Sequence, residues 1–99
     1  MEAFDYIEIR IPAKPQYVSV ARLAISGLAA RVGFSYDDIE DLKIASSEAV
    51  TNVVQHAYDE KDEGDVVIGC ALYESRMEIM VADYGDSVSL EEITENDGP

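Results

Sequence analysis

The sequence predicts a two-layer α+β sandwich, in which two long helices pack on one face of a mostly antiparallel sheet. Three observations predict this fold. A segment near the N-terminus alternates between polar and apolar residues, as a half-buried strand does. Two long segments with helical periodicity follow it, and then two apolar segments that are separated by a short polar bend. The predicted order of elements is therefore β-α-α-β-β.

The first strand and the first helix are predicted from residues 6–32. In the segment YIEIRIP, residues 6–12, isoleucines alternate with polar residues and a proline ends the strand. Pro15 stands where a helix can begin. Between residues 17 and 32 apolar residues recur at spacings of three and four, so one face of this helix is expected to lie in the core. The predicted core face comprises Val20, Leu23, Ala24, Gly27, Leu28 and Val32. Gly33 is expected to end the helix.

The second helix is predicted to begin at Ser35 and to run to about Tyr58. Ser35 is a good N-cap residue, and Asp38 three residues later suits a capping box. A second stripe at helical spacing is polar and includes Glu48 and Asn52, one turn apart. The stripe that we expect to face the core is made of small or apolar residues, namely Ile39, Leu42, Ser46, Ala49, Val53 and Ala57.

The remaining sequence predicts a hairpin and a tail. Residues 59–65 form an acidic turn, and the segments VVIGCALYE and RMEIMVADYG read as two strands with a bend at SR. Beyond Gly85 the apolar pattern fades. There we expect a loop, or an element that the chain only begins.

Composition and charge restrict the classes of function. Apolar residues make up 47% of 99 residues, which indicates one folded domain spanning residues 1–99. The net charge of −14 repels nucleic acids and anionic membranes and favours basic partners. No apolar run is long enough to span a membrane. The single cysteine, Cys70, cannot form an internal disulfide and suits a reducing compartment. We therefore expect a cytoplasmic protein that binds neither nucleic acid nor membrane.

Three polar side chains are candidates for chemistry. Glu48 offers a carboxylate that can accept a proton, and Asn52 offers a hard oxygen ligand for Mg²⁺. Asp83, at the end of an apolar strand, can accept a hydrogen bond from an exocyclic amine such as that of adenine. Each also has an ordinary structural interpretation: a solvated helix face for the first two, and an Asx-type turn for Asp83.

Taken in order, these segments resemble the Bergerat (GHKL) ATP-binding fold, and within it the RsbW-type anti-sigma-factor serine kinases. The segments that carry the resemblance are DYIEIRIPAKPQYVSVARL, DDIEDLKIASSEAVTNVVQHAY and VADYGDS. They agree with the family in order and in spacing. One departure is Ser87, which stands where the wider superfamily has a second glycine.

The resemblance implies a role for five residues. Glu48 matches the general base that takes the proton of the substrate serine hydroxyl. Asn52 matches the Mg²⁺ ligand that joins the metal to the ATP phosphates. Asp83 matches the acid that binds the adenine amine, and Gly85 the glycine that lets the backbone approach the base. Arg22 matches an arginine on the surface that meets the protein partners.

The resemblance also implies a function. It predicts an anti-sigma factor that sequesters a sigma-B-type stress sigma factor, and a kinase that phosphorylates the anti-anti-sigma antagonist on serine with ATP and Mg²⁺. It further implies a homodimer. A glycine-rich second box that binds phosphates in this family does not occur in these 99 residues. We therefore expect an incomplete kinase domain with little activity of its own.

Two alternatives stay open at this point. The first is a non-catalytic binding module that retains part of the partner surface. The second is a histidine-kinase catalytic domain. The second is disfavoured because the sequence contains no dimerisation helix with a phosphoacceptor histidine.

Overall fold

A computed structural model describes residues 4–59, 64–84 and 90–96. Its strands form one antiparallel sheet in the order β1-β2-β3-β4. In chain order the elements are β1 (Asp5–Pro12), a 3₁₀ turn (Pro15–Tyr17), α1 (Val18–Val32), α2 (Tyr36–Asp59), β2 (Asp65–Leu72), β3 (Arg76–Tyr84) and β4 (Leu90–Asn96). Buried residues of both helices and of β1, β2 and β3 share a single core, so the helices form the second layer. The predicted α+β sandwich is confirmed.

Strand β1 follows the alternation that the sequence predicts. Ile7 and Ile9 are half-buried against the core, and Ile11 is buried. The intervening Tyr6, Glu8 and Arg10 are exposed, because successive side chains of a strand point to opposite faces of the sheet.

Helix α1 corrects the prediction of its core face. Of the predicted face, Val20 is 48% exposed and Leu23 is 66% exposed, and Gly27 is exposed as well. The prediction failed because apolar residues occur on nearly every side of this helix, so that spacings of three and four fit more than one face. Contact with the sheet and with α2 selects the face instead. The observed core face comprises Val18, Ala21, Ile25, Leu28, Ala29 and Val32.

Gly33 ends α1 as predicted. Its φ of 100° lies in the left-handed region, and its N–H donates to the carbonyl oxygens of Ala29 and Ala30 at 3.2 and 3.1 Å. Phe34 then donates its N–H to Ala29 at 3.1 Å and buries its ring in the core. Glycine adopts this conformation without the steric cost that a Cβ atom brings.

Helix α2 is placed as the sequence predicts. The N–H of Asp38 donates to the hydroxyl of Ser35 at 3.2 Å, which is the N-cap half of the predicted capping box. The predicted core stripe is buried except at Ile39, which is half-buried. Two further valines, Val50 and Val54, are buried beside it. The polar side of the helix therefore faces outward.

Strands β2 and β3 form the predicted hairpin, with Val66 paired to Asp83 and Leu72 to Met77. Interactions of three side chains fix its turn. The guanidinium of Arg76 lies 3.9 Å from the ring centre of Tyr73, and Glu78 accepts the Tyr73 hydroxyl at 3.1 Å. These contacts hold the start of β3 against the end of β2.

A fourth strand, β4, extends the predicted order beyond Gly85. It pairs with β3 from Leu90 opposite Ala82 to Asn96 opposite Arg76. The sequence LEEITEN did not predict a strand, because acidic residues are depleted in strands and its two apolar residues do not alternate. Pairing with β3 outweighs these weak preferences.

None of the helices in the described part of the chain combines the length and the apolar character that crossing a membrane requires.

Candidate functional site

Helix α2 presents the two polar candidates on its solvent side. Glu48 and Asn52 are both exposed, while Ala49 and Val53 beside them are buried in the core. Four residues of α-helix rise about 6 Å, so the two side chains stand one above the other on the same face. The core contacts of their neighbours fix the helix, and the helix in turn fixes the direction of the carboxylate and the amide.

Asp83 occupies a different environment. It lies within β3, one residue before the end of the strand, and is 0% exposed. Met77, Ile79 and Val81 alternate with outward-facing residues and belong to the core, so Asp83 shares their face of the sheet. A carboxylate buried on the helix side of the sheet differs from the solvent-facing Asx turn that the sequence left as an alternative.

The structure thus places the three candidates around one helix. Glu48 and Asn52 stand on the outward side of α2, and Asp83 lies in the sheet layer against which α2 packs. Gly85, the fourth predicted residue of the nucleotide site, lies outside the described residues.

The burial of the Asp83 carboxylate in this layer bears on what the residue can bind. A carboxylate in an apolar layer is costly unless hydrogen-bond donors satisfy it, and Asp83 is the only carboxylate among the buried residues described. Such a group is well placed to select a ligand by a hydrogen bond, because competing water is excluded.

The oxygen donors of Glu48 and Asn52 fit one kind of Mg²⁺ site and not another. Among the described residues no group of three or more His, Cys, Asp or Glu side chains is arranged to hold a metal ion. Mg²⁺ in nucleotide sites, however, typically takes one or two protein oxygens and completes its shell with water and phosphate. The exposed oxygen donors of Asn52 and Glu48 suit that kind of site and do not suit a metal cage built from protein alone.

Arg22 lies apart from this set, in a groove between the two helices. The groove is open, has a volume of about 500 Å³, and is lined by Arg22 of α1 and by Glu40, Lys43, Ile44 and Ser47 of α2. Lys43 pairs with Glu40 at 3.0 Å, and Ile44 is 68% exposed. Arg22 is half-buried and lines this groove.

Sequence reasoning found Arg22 but missed its companions. Lys43 supplies a second cation, and the Oγ atom of Ser47 is buried without a hydrogen-bond partner in the described part of the chain. Lys43 and Ser47 are four residues apart, so helical spacing places them on one side of α2. Only the packing angle between the helices brings that side to Arg22, and no sequence pattern reports that angle.

Comparison with known proteins places the sequence in a family. Residues 11–99 match the model of the histidine kinase-like ATPase domain. The chain is 56% identical over 99 residues to the serine-protein kinase RsbW of Oceanobacillus iheyensis and covers 63% of that protein. It is 53% identical over 95 residues to the serine-protein kinase RsbW of Bacillus subtilis, where the match covers 96% of this chain and 59% of the relative.

A third relative gives the same result. The serine-protein kinase RsbW of Bacillus thuringiensis is 56% identical over 99 residues, which is 100% of this chain and 61% of the relative. The chain thus spans about three fifths of the length of the curated relatives it matches, from 59% to 63%. The resemblance to RsbW-type kinases that the sequence motifs predict is confirmed, and the chain belongs to the histidine kinase-like ATPase domain family.

Proposed function

We propose that residues 1–99 belong to one ATP-binding domain of a cytoplasmic protein serine kinase that is also an anti-sigma factor. In this role the protein sequesters a sigma-B-type sigma factor and phosphorylates the anti-anti-sigma antagonist on serine, with ATP and Mg²⁺. One observation carries the proposal: a carboxylate and an amide stand one turn apart on the exposed side of α2, above a sheet that buries the carboxylate of Asp83. The names of the relatives, serine-protein kinases, support it.

Adenine recognition is assigned to Asp83. Its carboxylate accepts a hydrogen bond from the exocyclic amine of the base, and burial strengthens that bond because competing water is excluded. Gly85, which follows β3 in the sequence, is assigned to the close approach of the backbone to the base. That assignment depends on the family resemblance alone.

Metal binding is assigned to Asn52. Its amide oxygen is a hard ligand, and its exposure leaves room for the waters and phosphate oxygens that complete a Mg²⁺ shell. When bound, Mg²⁺ supplies positive charge that the phosphates need. The described site itself is acidic in character, and the chain carries a net charge of −14, so phosphates would otherwise be repelled.

Proton abstraction is assigned to Glu48. The carboxylate must reach a serine on another protein, and its exposed position on α2 allows such an approach. Its distance of one helical turn from Asn52 lets metal ligand and base serve the same phosphate. Glu48 would accept the proton of the serine hydroxyl as the hydroxyl oxygen attacks the γ-phosphorus atom; the bond from that phosphorus to the β,γ-bridging oxygen breaks, and ADP leaves.

Partner binding is assigned to the groove at Arg22. Arg22 and the Lys43–Glu40 ion pair stand beside the exposed apolar side chain of Ile44, so the groove carries one net positive charge and suits a partner segment that is apolar with an acidic residue. The acidic remainder of the chain favours basic regions of a sigma factor. We also propose that the protein acts as a homodimer, as the family resemblance implies.

Substitution of Glu48 by glutamine tests the function. In the full gene product, Glu48→Gln should keep its affinity for Mg-ATP and lose phosphotransfer to the anti-anti-sigma protein by about 100-fold or more, because the amide cannot take a proton. Transfer is measured with radiolabelled ATP, and nucleotide affinity by calorimetry.

A matched substitution separates catalysis from a general loss of charge. Glu74 lies exposed in the hairpin turn, and Glu74→Gln makes the same chemical change away from α2. This variant should phosphorylate the substrate as the parent does. Equal transfer by Glu48→Gln and the parent would refute the assignment of the base. Partner binding without any transfer by the parent would instead favour the non-catalytic binding module.

A further inference from the structure

Ile44 is an apolar residue that the core of the protein does not use. It lies in the first half of α2 and is 68% exposed, whereas Leu42 and Val50 of the same helix are buried. Among the side chains of α2 that the structure describes, only Tyr36, at the start of the helix, is a more exposed large apolar residue. Single exposed apolar residues are common on protein surfaces, so the meaning of Ile44 depends on what stands beside it.

Ile44 stands in line with the two candidates for chemistry on α2. Residues 44, 48 and 52 are four apart, so each side chain lies about 6 Å along the helix from the next and is turned by about 40°. All three are exposed. We call Ile44, Glu48 and Asn52 the α2 row. Within this row the carboxylate of Glu48 has an apolar neighbour on its N-terminal side and an amide on its C-terminal side.

The order of the α2 row restricts where a protein substrate can lie. In the proposed function Asn52 binds the metal that carries the phosphates, so ATP occupies the C-terminal end of the row. A serine that delivers its hydroxyl to Glu48 must then bring its neighbours over the N-terminal end, at Ile44. In an extended segment the side chain two residues away points to the same side as the serine and lies about 6.6 Å from it along the chain. That spacing matches the rise of about 6 Å between Glu48 and Ile44.

The charges around Ile44 favour an apolar side chain in the substrate at this point. The groove that Ile44 lines and the turns of α2 on either side of it hold three acids and two bases, namely Glu40, Asp41, Glu48, Arg22 and Lys43. A charge of either sign placed over Ile44 would therefore have a like charge nearby, and it would lose water against the apolar surface. An apolar side chain avoids both costs and buries the exposed surface of Ile44.

We propose that Ile44 determines which serine is phosphorylated, because it packs against an apolar side chain two residues from that serine in an extended segment of the antagonist. Only the protein that delivers its serine to Glu48 must cross the α2 row, so the antagonist, and not the sigma factor, is the occupant. Ile44 takes no part in the proton transfer and contributes to binding alone. The inference rests on the proposed function, since it takes Glu48 as the base and Asn52 as the metal ligand.

Steady-state kinetics of the full gene product with the antagonist test the proposal. Ile44→Asp should raise the KM for the antagonist by about tenfold or more, because a charge that must be desolvated replaces an apolar contact. The kcat and the affinity for Mg-ATP should stay within about threefold of the parent values, as expected when a contact that serves binding alone is lost. Ile44→Leu keeps an apolar side chain and should return the KM to within about threefold of the parent value.

Leu23→Asp is the matched control for this change. Leu23 is 66% exposed, close to the 68% of Ile44, but it lies on α1 and outside the α2 row. Its substitution adds the same charge to an equally exposed apolar position, and the KM for the antagonist should stay within about threefold of the parent value. Circular dichroism checks that each variant is folded, and Ile44→Asn replaces Ile44→Asp if the latter is not.

A double-mutant cycle then identifies the residue that Ile44 contacts. In the antagonist, the residues two before and two after the phosphorylated serine are replaced by asparagine one at a time, and each variant is assayed with the parent kinase and with Ile44→Asp. At one of these positions the combined increase in KM should be about fivefold or more below the product of the two single increases. At the other position the increases should multiply.

Several results would overturn the inference. They are increases that multiply at both positions, a KM for Ile44→Asp equal to that of the parent, an equal rise for Leu23→Asp, and a loss of affinity for the sigma factor alone. A parent protein that transfers no phosphate, or a fully active Glu48→Gln variant, would instead refute the proposed function and the inference with it. The two failures are therefore distinguishable, because the variants of Ile44 do not enter those two measurements.

Discussion

Gly27, inside α1, and Gly33, which follows α1, should respond in opposite directions to substitution by alanine. Gly33 has a φ of 100° at the end of the helix, whereas Gly27 lies inside it. A Cβ atom at either position meets nothing within 4 Å, so packing contributes to neither result. Any difference in stability between Gly33→Ala and Gly27→Ala must therefore come from backbone conformation.

The expected sizes follow from that difference. Alanine at a left-handed position destabilises the folded state by about 1–2 kcal/mol. Alanine also lowers the conformational entropy of the unfolded chain, which stabilises the folded state by about 0.4–1 kcal/mol. Gly33→Ala should therefore lower the free energy of unfolding by roughly 1 kcal/mol. Gly27→Ala should stabilise it by about 0.5–1 kcal/mol, since glycine inside a helix is unfavourable. The two variants should thus differ by roughly 1.5–2 kcal/mol, which in a domain of this size corresponds to about 6–16 °C in melting temperature.

Urea denaturation of the three chains under one set of conditions measures these differences. The slopes of the unfolding free energy against urea should agree, so that the midpoints report stability alone. A third variant, Gly33→Asn, should be less destabilised than Gly33→Ala, because asparagine tolerates the left-handed region better. If Gly33→Ala proves as stable as the parent, the helix does not end through a left-handed residue and the reasoning is wrong.

Three further predictions concern partner, metal and pH. Arg22→Glu should weaken binding to both protein partners by about tenfold or more and leave the affinity for ATP unchanged. Arg31→Glu, the same charge reversal in the exposed last turn of α1, should leave partner binding unchanged. Equal titration curves for the two variants would remove the groove from the interface. Asn52→Ala should abolish the Mg²⁺ dependence of ATP binding in calorimetry, and Asn52→Asp, which keeps an oxygen ligand, should retain it. Burial raises the pKa of the Cys70 thiol from 9.0 to about 11, so the unfolded chain loses this proton first and stability should fall between about pH 9 and 11. Over that range the parent should lose about 2 kcal/mol more than Cys70→Ala, and parallel losses would contradict the shift.

The accuracy of the sequence predictions depended on how many faces of an element are polar. In α2 polar residues dominate one side, where Ile44 is an exception, so Leu42, Ala49 and Val53 had one clear face on which to be buried, and the prediction was right. In α1 apolar residues surround the helix, and Val20 and Leu23 were wrongly placed in the core. Periodicity identifies a buried face only when another face is excluded.

In the candidate site, too, the sequence predicted what depends on helix spacing and missed what depends on tertiary packing. The spacing of Glu48 and Asn52 fixed their common face, because a helix is regular and its neighbours decide its orientation. The burial of Asp83 depended on which side of β3 faces the helices, and this was not assigned from the sequence. Lys43 and Ser47 reach Arg22 only through the crossing of two helices, which is a property of tertiary packing.

The pairing of β1 with β2 has a consequence for biosynthesis. Pro12 pairs with Asp65 and Asp5 with Leu72, so the ribosome must add more than fifty residues before β1 meets its neighbour in the sheet. The β2–β3 hairpin needs only the few residues of its turn, with Leu72 opposite Met77. Closing the long loop costs more entropy than closing the hairpin, and it comes later in time. Until β2 emerges, the isoleucine side chains and the backbone hydrogen-bonding groups of β1 are exposed and can associate with other chains. Glu8 and Arg10 make one side of the unpaired strand charged, which disfavours such association.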